Sequence, residues 1–301
     1  MTHSLSELRT LLTCVLRHPA NRNHRLRAAL RFAWWQLRKR LSKNPAIVRV
    51  GSNRRFKVVT DSPFSSVVVY SGLPEWDEMR FLQRILRPTD GFIDIGANVG
   101  FYTVLASTIV TQGPLLAFEA NPRNLDVLRD QVKLNGLTNA TVFATALGNS
   151  TGELSFFNSG RDGGSIACES DPSSSRITVP CSRLDDCLAG KRLPETVVAK
   201  MDVEGCEVLV LEGAGEALAS GRIAVWVFEL NDLALRKHGA SGDDLLRIFS
   251  KHGYAIHYWD EERQRLGKKG DEGDVNRANY LACRDLGIIE RRIHDATSTH
   301  D

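Results

Sequence analysis

The run Gly91-Phe92-Ile93-Asp94-Ile95-Gly96-Ala97-Asn98-Val99-Gly100 constrains the fold more than any other part of the chain. An apolar strand over Phe92–Ile95 delivers Asp94 to a tight glycine-containing loop, which opens directly into a helical pattern over Phe101–Val110. That order builds a ligand cradle, because Gly96 and Gly100 permit the turn and a close backbone approach while the helix start offers unpaired amides. The loop lacks the Gly-x-Gly-x-x-Gly spacing of dinucleotide sites and carries no Lys-Ser/Thr ending for phosphates, which disfavours an NAD enzyme and an ATPase. A nucleoside moiety without phosphates fits it better.

Leu115-Leu116-Ala117-Phe118-Glu119 reads as a second buried strand ending in a carboxylate. It follows the loop by about twenty residues, the spacing at which an acid can accept both ribose hydroxyls. Asn121-Pro122 then turns the chain, and Leu125, Leu128, Val132 and Leu134 form a helical stripe that Asn135-Gly136 stops. With these residues the chain resembles the S-adenosylmethionine-dependent methyltransferases of the Rossmann-like class. Lys200-Met201-Asp202-Val203-Glu204-Gly205-Cys206-Glu207 makes the likeness narrower, since it is similar to the Lys-x-Asp-x-Glu-Gly-x-Glu block of the FkbM-type family. Phe118–Pro122, Val179–Asp185 and Asn279–Ala282 belong to the same likeness, which extends from about Val69 to Cys283. Three positions depart from the family pattern: Asn98 stands where glycine is frequent, Ala120 where proline is common, and Met201 where isoleucine is usual.

The wider pattern is one of alternation. Strands are expected at Thr141–Ala144, Val197–Met201, Ile223–Phe228, Tyr254–Tyr258 and Tyr280–Cys283, with helices at Asn124–Leu134, Cys206–Leu218 and Gly242–Lys251. This predicts an α/β fold with a doubly wound, mainly parallel sheet. The resemblance adds the Rossmann-like class I methyltransferase topology, a seven-stranded sheet with a reversed final strand. Upstream, Arg54–Thr60 and Ser65–Tyr70 read as two strands of a hairpin around Asp61-Ser62-Pro63, and Trp76–Leu86 as a helix. A polar excursion through 160–165 and a charged loop over Glu261–Asn276 interrupt the pattern. The expected organisation is a basic amphipathic extension over 1–50, a hairpin and helix lead-in over 51–90, the methyltransferase domain over 91–285 and a polar tail over 286–301.

Strand ends place the chemistry. Asp94, Glu119, Asp202 and Glu229 all stand at predicted carboxyl ends of strands, where ligand sites of open α/β sheets gather. The resemblance implies that Asp94, Gly96, Ala97, Asn98, Gly100, Glu119 and Asn121 hold S-adenosyl-L-methionine, with Glu119 as the ribose acceptor and Asp94 near the methionyl part. Asp202 and Glu204 are the expected groups that bind or deprotonate an acceptor hydroxyl, because clustered acids raise one another's proton affinity. His238 is a further candidate base, and Glu229 and Asn231 are expected to wall the acceptor pocket. Asp202, Glu229 and Asn231 are also oxygen donors suited to Mg²⁺. Glu207, in the first turn of a helix, reads as structural.

The resemblance implies O-methylation of a sugar, glycolipid or other small metabolite. An N-methyltransferase for a small molecule or peptide, and a cofactor-binding module without turnover, are the alternatives. No nucleic-acid partner is expected, since neither an Asn/Asp-Pro-Pro-Tyr/Phe catalytic tetrapeptide nor a base-reading module is present.

Charge is uneven along the 301 residues: Met1–Arg49 carries eleven Lys/Arg against the single acid Glu7, and the remainder is net acidic. Between 25 and 43, Leu26, Leu30, Trp34, Leu37 and Leu41 recur at helical spacing among Arg25, Arg27, Arg31, Arg38, Lys39 and Arg40. Such a helix either packs its stripe on the catalytic domain with its charges in water, or lies on an anionic membrane surface. The six cysteines form no Cys-x-x-Cys pair and suit a reducing compartment, and no apolar run reaches membrane-spanning length. The expected location is therefore cytoplasmic, with peripheral contact at the inner membrane face as an option.

Overall fold

Strands that are buried on both faces need apolar residues at every position, and that requirement selects the centre of the sheet. The computed structural model describes residues 5–157, 165–167, 172, 175–271, 274 and 277–298. Its first part comprises helices α1 (Leu5–Arg17) and α2 (Arg25–Leu41), a two-stranded ribbon β1 (Ala46–Val50) and β2 (Arg54–Val58), then α3 (Pro63–Ser71) and α4 (Trp76–Ile85). The next part alternates: β3 (Gly91–Ile95), α5 (Phe101–Ser107), β4 (Leu115–Phe118), α6 (Pro122–Leu134) and β5 (Ala140–Phe143). A small second sheet follows, made of β6 (Ala146–Leu147), β7 (Gly152–Phe157), β8 (Ser165–Ile166) and β9 (Arg176–Ser182). After α7 (Leu184–Leu188) come β10 (Val197–Met201), α8 (Glu207–Glu212), α9 (Gly215–Ser220), β11 (Val225–Glu229), α10 (Asp232–Lys237) and α11 (Gly242–Lys251). The chain closes with β12 (Ala255–Asp260), β13 (Arg265–Lys268), β14 (Asn279–Cys283) and α12 (Leu286–Ser298).

The main sheet runs β13-β12-β14-β11-β10-β3-β4-β5. Strands β5, β4, β3, β10 and β11 are parallel, whereas β14 is antiparallel to both β11 and β12. This is the Rossmann-like class I methyltransferase order with its reversed final strand, extended by β13 as an eighth, edge strand. The reversed strand lies inside the sheet, between β11 and β12, rather than closing its edge. Side chains alternate between two cores in step with the pleat. Phe92, Val198, Val225, Val227 and Leu281 join Phe81, Leu82 and Val104 on one face, while Ile93, Ile95, Ala199, Trp226 and Phe228 join Val210, Leu245 and Phe249 on the other.

Several local expectations are corrected. Ser65–Tyr70 is part of a helix, because Ser62 caps it by accepting the Ser65 amide at 2.8 Å and Pro63 occupies its first turn. The partner of β2 is β1 instead. The helix expected over Cys206–Leu218 is two, broken where Gly213 lets the backbone of Gly148 approach: a Cβ there would stand 1.9 Å from the Gly148 carbonyl oxygen. Residues 286–298, expected as a polar tail, are helical, with Ile289 buried and Arg292 bonded to Asp90 (Nη2 to Oδ1 3.0 Å). The loop Glu261–Asn276 contains β13; its residues 272–273 and 275–276, like 160–164 of the polar excursion, lie outside the described residues. On α2 the buried face is Ala28, Phe32, Trp35 and Gln36, so the stripe of Leu26, Leu30, Trp34, Leu37 and Leu41 faces away from the domain instead of packing on it.

Candidate functional site

Strand order reverses direction between β3 and β10, and a crevice must open beyond their carboxyl ends. A cavity of about 390 Å³ occupies that place. Its floor is the loop after β3. Gly96, Asn98 and Gly100 all have positive φ (76°, 50° and 84°), which coils the loop tightly enough for Gly96 to lie against β10. A Cβ on Gly96 would come within 1.9 Å of the Asp202 carbonyl oxygen, so no side chain fits. Asp94 is buried at the end of β3 and accepts a hydrogen bond from Thr103 Oγ1 of α5 at 2.5 Å. Burial pushes its pKa up to about 6, against the Thr103 bond that lowers it.

Glu119, immediately after β4, joins the loop to the next helix. One carboxylate oxygen accepts the Asn98 amide at 2.7 Å and the other accepts the Asn121 amide at 2.6 Å. Each oxygen keeps a second acceptor direction. Burial nevertheless raises its pKa to about 7, outweighing those two bonds. Asn121 itself caps α6 by accepting the Arg123 amide at 3.1 Å. The side-chain oxygens of Asn98 and Asn124 are buried without a hydrogen-bond partner among the described residues, and both residues line the cavity. Two orphaned acceptors beside two buried carboxyls call for a ligand rich in donors.

The opposite wall is built around Lys200. Its ammonium is fully buried, 3.5 Å from Asp202, 3.8 Å from Glu75 and 3.2 Å from the Asn279 side-chain oxygen, over the Tyr102 ring. Burial alone would lower its pKa, but the Asp202 and Glu75 charges prevail and hold it above the ordinary lysine value. The Tyr102 hydroxyl donates to Glu75 in a short hydrogen bond. Asp202 and Glu204 line the mouth, and Glu204 has a positive φ of 55° that turns the chain around it. Desolvation, then the Asp202 charge, raises the Glu204 pKa, although its exposure to solvent moderates the effect. Glu207 folds back onto its own loop, accepting the Val203 and Gly205 amides at 3.2 and 3.3 Å.

The expected residues thus divide. Asp94, Gly96, Ala97, Asn98, Glu119, Asn121, Asp202 and Glu204 line the cavity together. Gly100 begins α5 behind them, packed against Leu128. Glu229, Asn231 and His238 are not among the lining residues. Glu229 is coupled to the mouth through charge: burial first, then Asp202 and Glu204, push its pKa up to about 7. The Asn231 side-chain oxygen is spent on capping α10, where it accepts the Ala234 amide at 3.2 Å, and His238 ends that same helix. Among the described residues no group of three His, Cys, Asp or Glu side chains is placed to hold a metal ion, and the Asn231 oxygen of the Mg²⁺ set Asp202, Glu229 and Asn231 already accepts the Ala234 amide. Glu75, Tyr102 and Asn124 were absent from the expected site. Lys200 stood inside the recognised block, yet a lysine within a buried strand was the available signal that it must meet carboxylates.

The Methyltransferase FkbM domain model matches residues 94–256, from Asp94 of the cradle into β12. The chain belongs to the FkbM methyltransferase family. Among curated relatives, the hexuronic acid methyltransferase AglP of Haloferax volcanii is 28% identical over 190 residues, covering 62% of this chain and 75% of that one. The solved FkbM methyltransferase of Methylobacillus flagellatus aligns with a TM-score of 0.44 at 16% identity, over 72% of this chain and 52% of its own; this chain spans about half the length of that FkbM protein. TYW2 of M. jannaschii, solved in complex with AdoMet, aligns with a TM-score of 0.39 at 12% identity over 80% and 84% of the two chains. The FkbM match leaves α1 to α4 outside it, so Glu75 and the α3 wall of the cavity, Pro63, Phe64 and Val67, come from a part of the chain that precedes the matched domain.

Proposed function

We propose that the chain is an S-adenosylmethionine-dependent O-methyltransferase whose acceptor is a sugar carrying a carboxylate or hydroxyls, of the hexuronic acid class, free or glycolipid-borne. The observation that carries the cofactor reading is Glu119, buried on the cavity wall with each carboxylate oxygen fixed by one amide and still able to take a hydroxyl. A ribose diol matches that pair of oxygens. The unsatisfied Asn98 and Asn124 oxygens suit the donor groups of the same ligand. When bound, the cofactor supplies a sulfonium methyl group, which leaves sulfur as the acceptor oxygen bonds to it.

The protein's own work is placement and proton management. Lys200 fixes Asp202 and Glu75 on the wall facing the cradle, so the acceptor meets a preorganised rim. Glu204, with its proton affinity raised by desolvation and by Asp202, takes the proton of a hydroxyl acceptor. A carboxylate acceptor needs no such step. The acceptor class rests on the name of the Haloferax volcanii relative.

The experiment supplies methyl-labelled S-adenosylmethionine with glycosides containing glucuronate or only neutral hexose, and locates the label by mass spectrometry. Label on an oxygen of the uronate sugar is expected, with transfer to a hydroxyl slowed about 10²-fold or more in Glu204→Gln. Label on nitrogen, or no transfer to any sugar, would overturn the assignment.

A further inference from the structure

Helix α2 has two apolar stripes, and only one is used by the fold. Ala28, Phe32 and Trp35 point inward; Trp35 Nε1 donates to Ser66 Oγ at 2.9 Å and Gln36 Nε2 to the Tyr70 hydroxyl at 2.8 Å, which fastens α2 to α3. At about 100° per residue, Leu26, Leu30, Trp34, Leu37 and Leu41 gather on the opposite side. Their exposures are 75%, 62%, 46%, 56% and 76%. Five of the eight exposed large hydrophobics among the described residues therefore sit in one row about 22 Å long, which scattered surface residues would not do.

Charge completes the pattern. The same helical geometry puts Arg27, Arg31 and Arg38 along one border of the row and Arg40 along the other. No Asp or Glu occurs between Glu7 and Asp61. The Arg38 guanidinium stands 5.8 Å from the Trp34 ring centroid, so an aromatic with an adjoining cation marks the middle of the row.

We infer that this face of α2 is a docking surface for an anionic lipid bilayer, with the leucines and Trp34 entering the headgroup boundary and the arginines pairing with lipid phosphates. A second copy of the chain fits poorly, because facing helices would bring two sets of arginines together without a carboxylate. A nucleic acid would satisfy the arginines and leave the leucines in water. Because α3 also lends Pro63, Phe64 and Val67 to the cavity, docking would set that wall at a fixed place relative to the bilayer.

The test is sedimentation of the full chain with vesicles of phosphatidylcholine, with and without phosphatidylglycerol. Binding is expected to the anionic vesicles and to fall with added salt. Leu30→Ser with Leu37→Ser should weaken it at least about tenfold while retaining the charges, and Arg27→Gln with Arg40→Gln should weaken it while retaining the apolar row. All four side chains are exposed, and unchanged thermal melts would show that the variants fold. The inference fails if the wild-type chain ignores anionic vesicles, if either double variant binds as well as wild type, or if the leucine variant only dissociates a dimer. None of these outcomes depends on methyl transfer.

Discussion

Glu229 shows most simply what the site costs the fold. Its pKa is raised from the ordinary 4.5 to about 7 by burial and by the Asp202 and Glu204 charges. Between those two values the folded state holds a proton that the unfolded chain releases, so the stability linked to this group is full below 4.5 and is lost as pH rises through 7. Glu78 and Glu119, also raised to about 7, and Asp94, raised to about 6, act in the same direction, each chiefly through burial. Glu229→Gln should therefore melt higher than wild type at pH 8.5, by the equivalent of about 1–3 kcal/mol, with the gap narrowing as pH falls below 7 and closing toward pH 4.5. Equal melting temperatures across that range would refute the assignment of Glu229 as a strained acid. The acids at strand ends were legible in the sequence because a carboxylate closing an apolar run has few places to go. Glu75 and Tyr102 were not, since they meet only when α4 packs beside α5.

Helix α9 depends on a residue outside itself. Asp185, buried in α7, accepts the Glu216 and Ala217 amides at 2.9 and 3.0 Å and pairs with Arg183 at 3.2 Å. It thus acts as a cap for an element thirty residues away in the chain. Asp185→Ala leaves two amides and an arginine without their acceptor and should cost about 2–3 kcal/mol, seen as a lower urea midpoint with an unchanged slope. Asp186→Ala, at an exposed neighbouring position, is the control and should cost less; equal losses would contradict the cap. At this scale β3, β4, β10, β11 and β14 were readable, because buried strands are continuous apolar runs. Helix α3 was misread because Val67-Val68-Val69 is β-branched, a weak strand preference that Ser62 and Pro63 override by capping. The inversion on α2 was hidden for another reason: periodicity reports that a stripe exists, and only packing reports which stripe is buried.

Across the whole molecule, sheet order, loop and charge converge at one crevice. The switch between β3 and β10 opens it, the left-handed loop floors it, and carboxyls from β3, β4 and the loop after β10 face one another across it. Family membership was accessible from sequence blocks, and with it the sheet order that the resemblance implies, whereas the cavity wall contributed by α3 and Glu75 was not, since it lies before the matched domain. Glu119 and the loop after β3 together are proposed to form the cofactor site. Titration calorimetry with S-adenosylhomocysteine tests it directly, comparing the wild-type chain with a folded Glu119→Ala variant. Saturable one-to-one binding is expected, weakened about tenfold or more by the substitution. Undiminished affinity in the variant, or no binding by the folded wild-type chain, would contradict it.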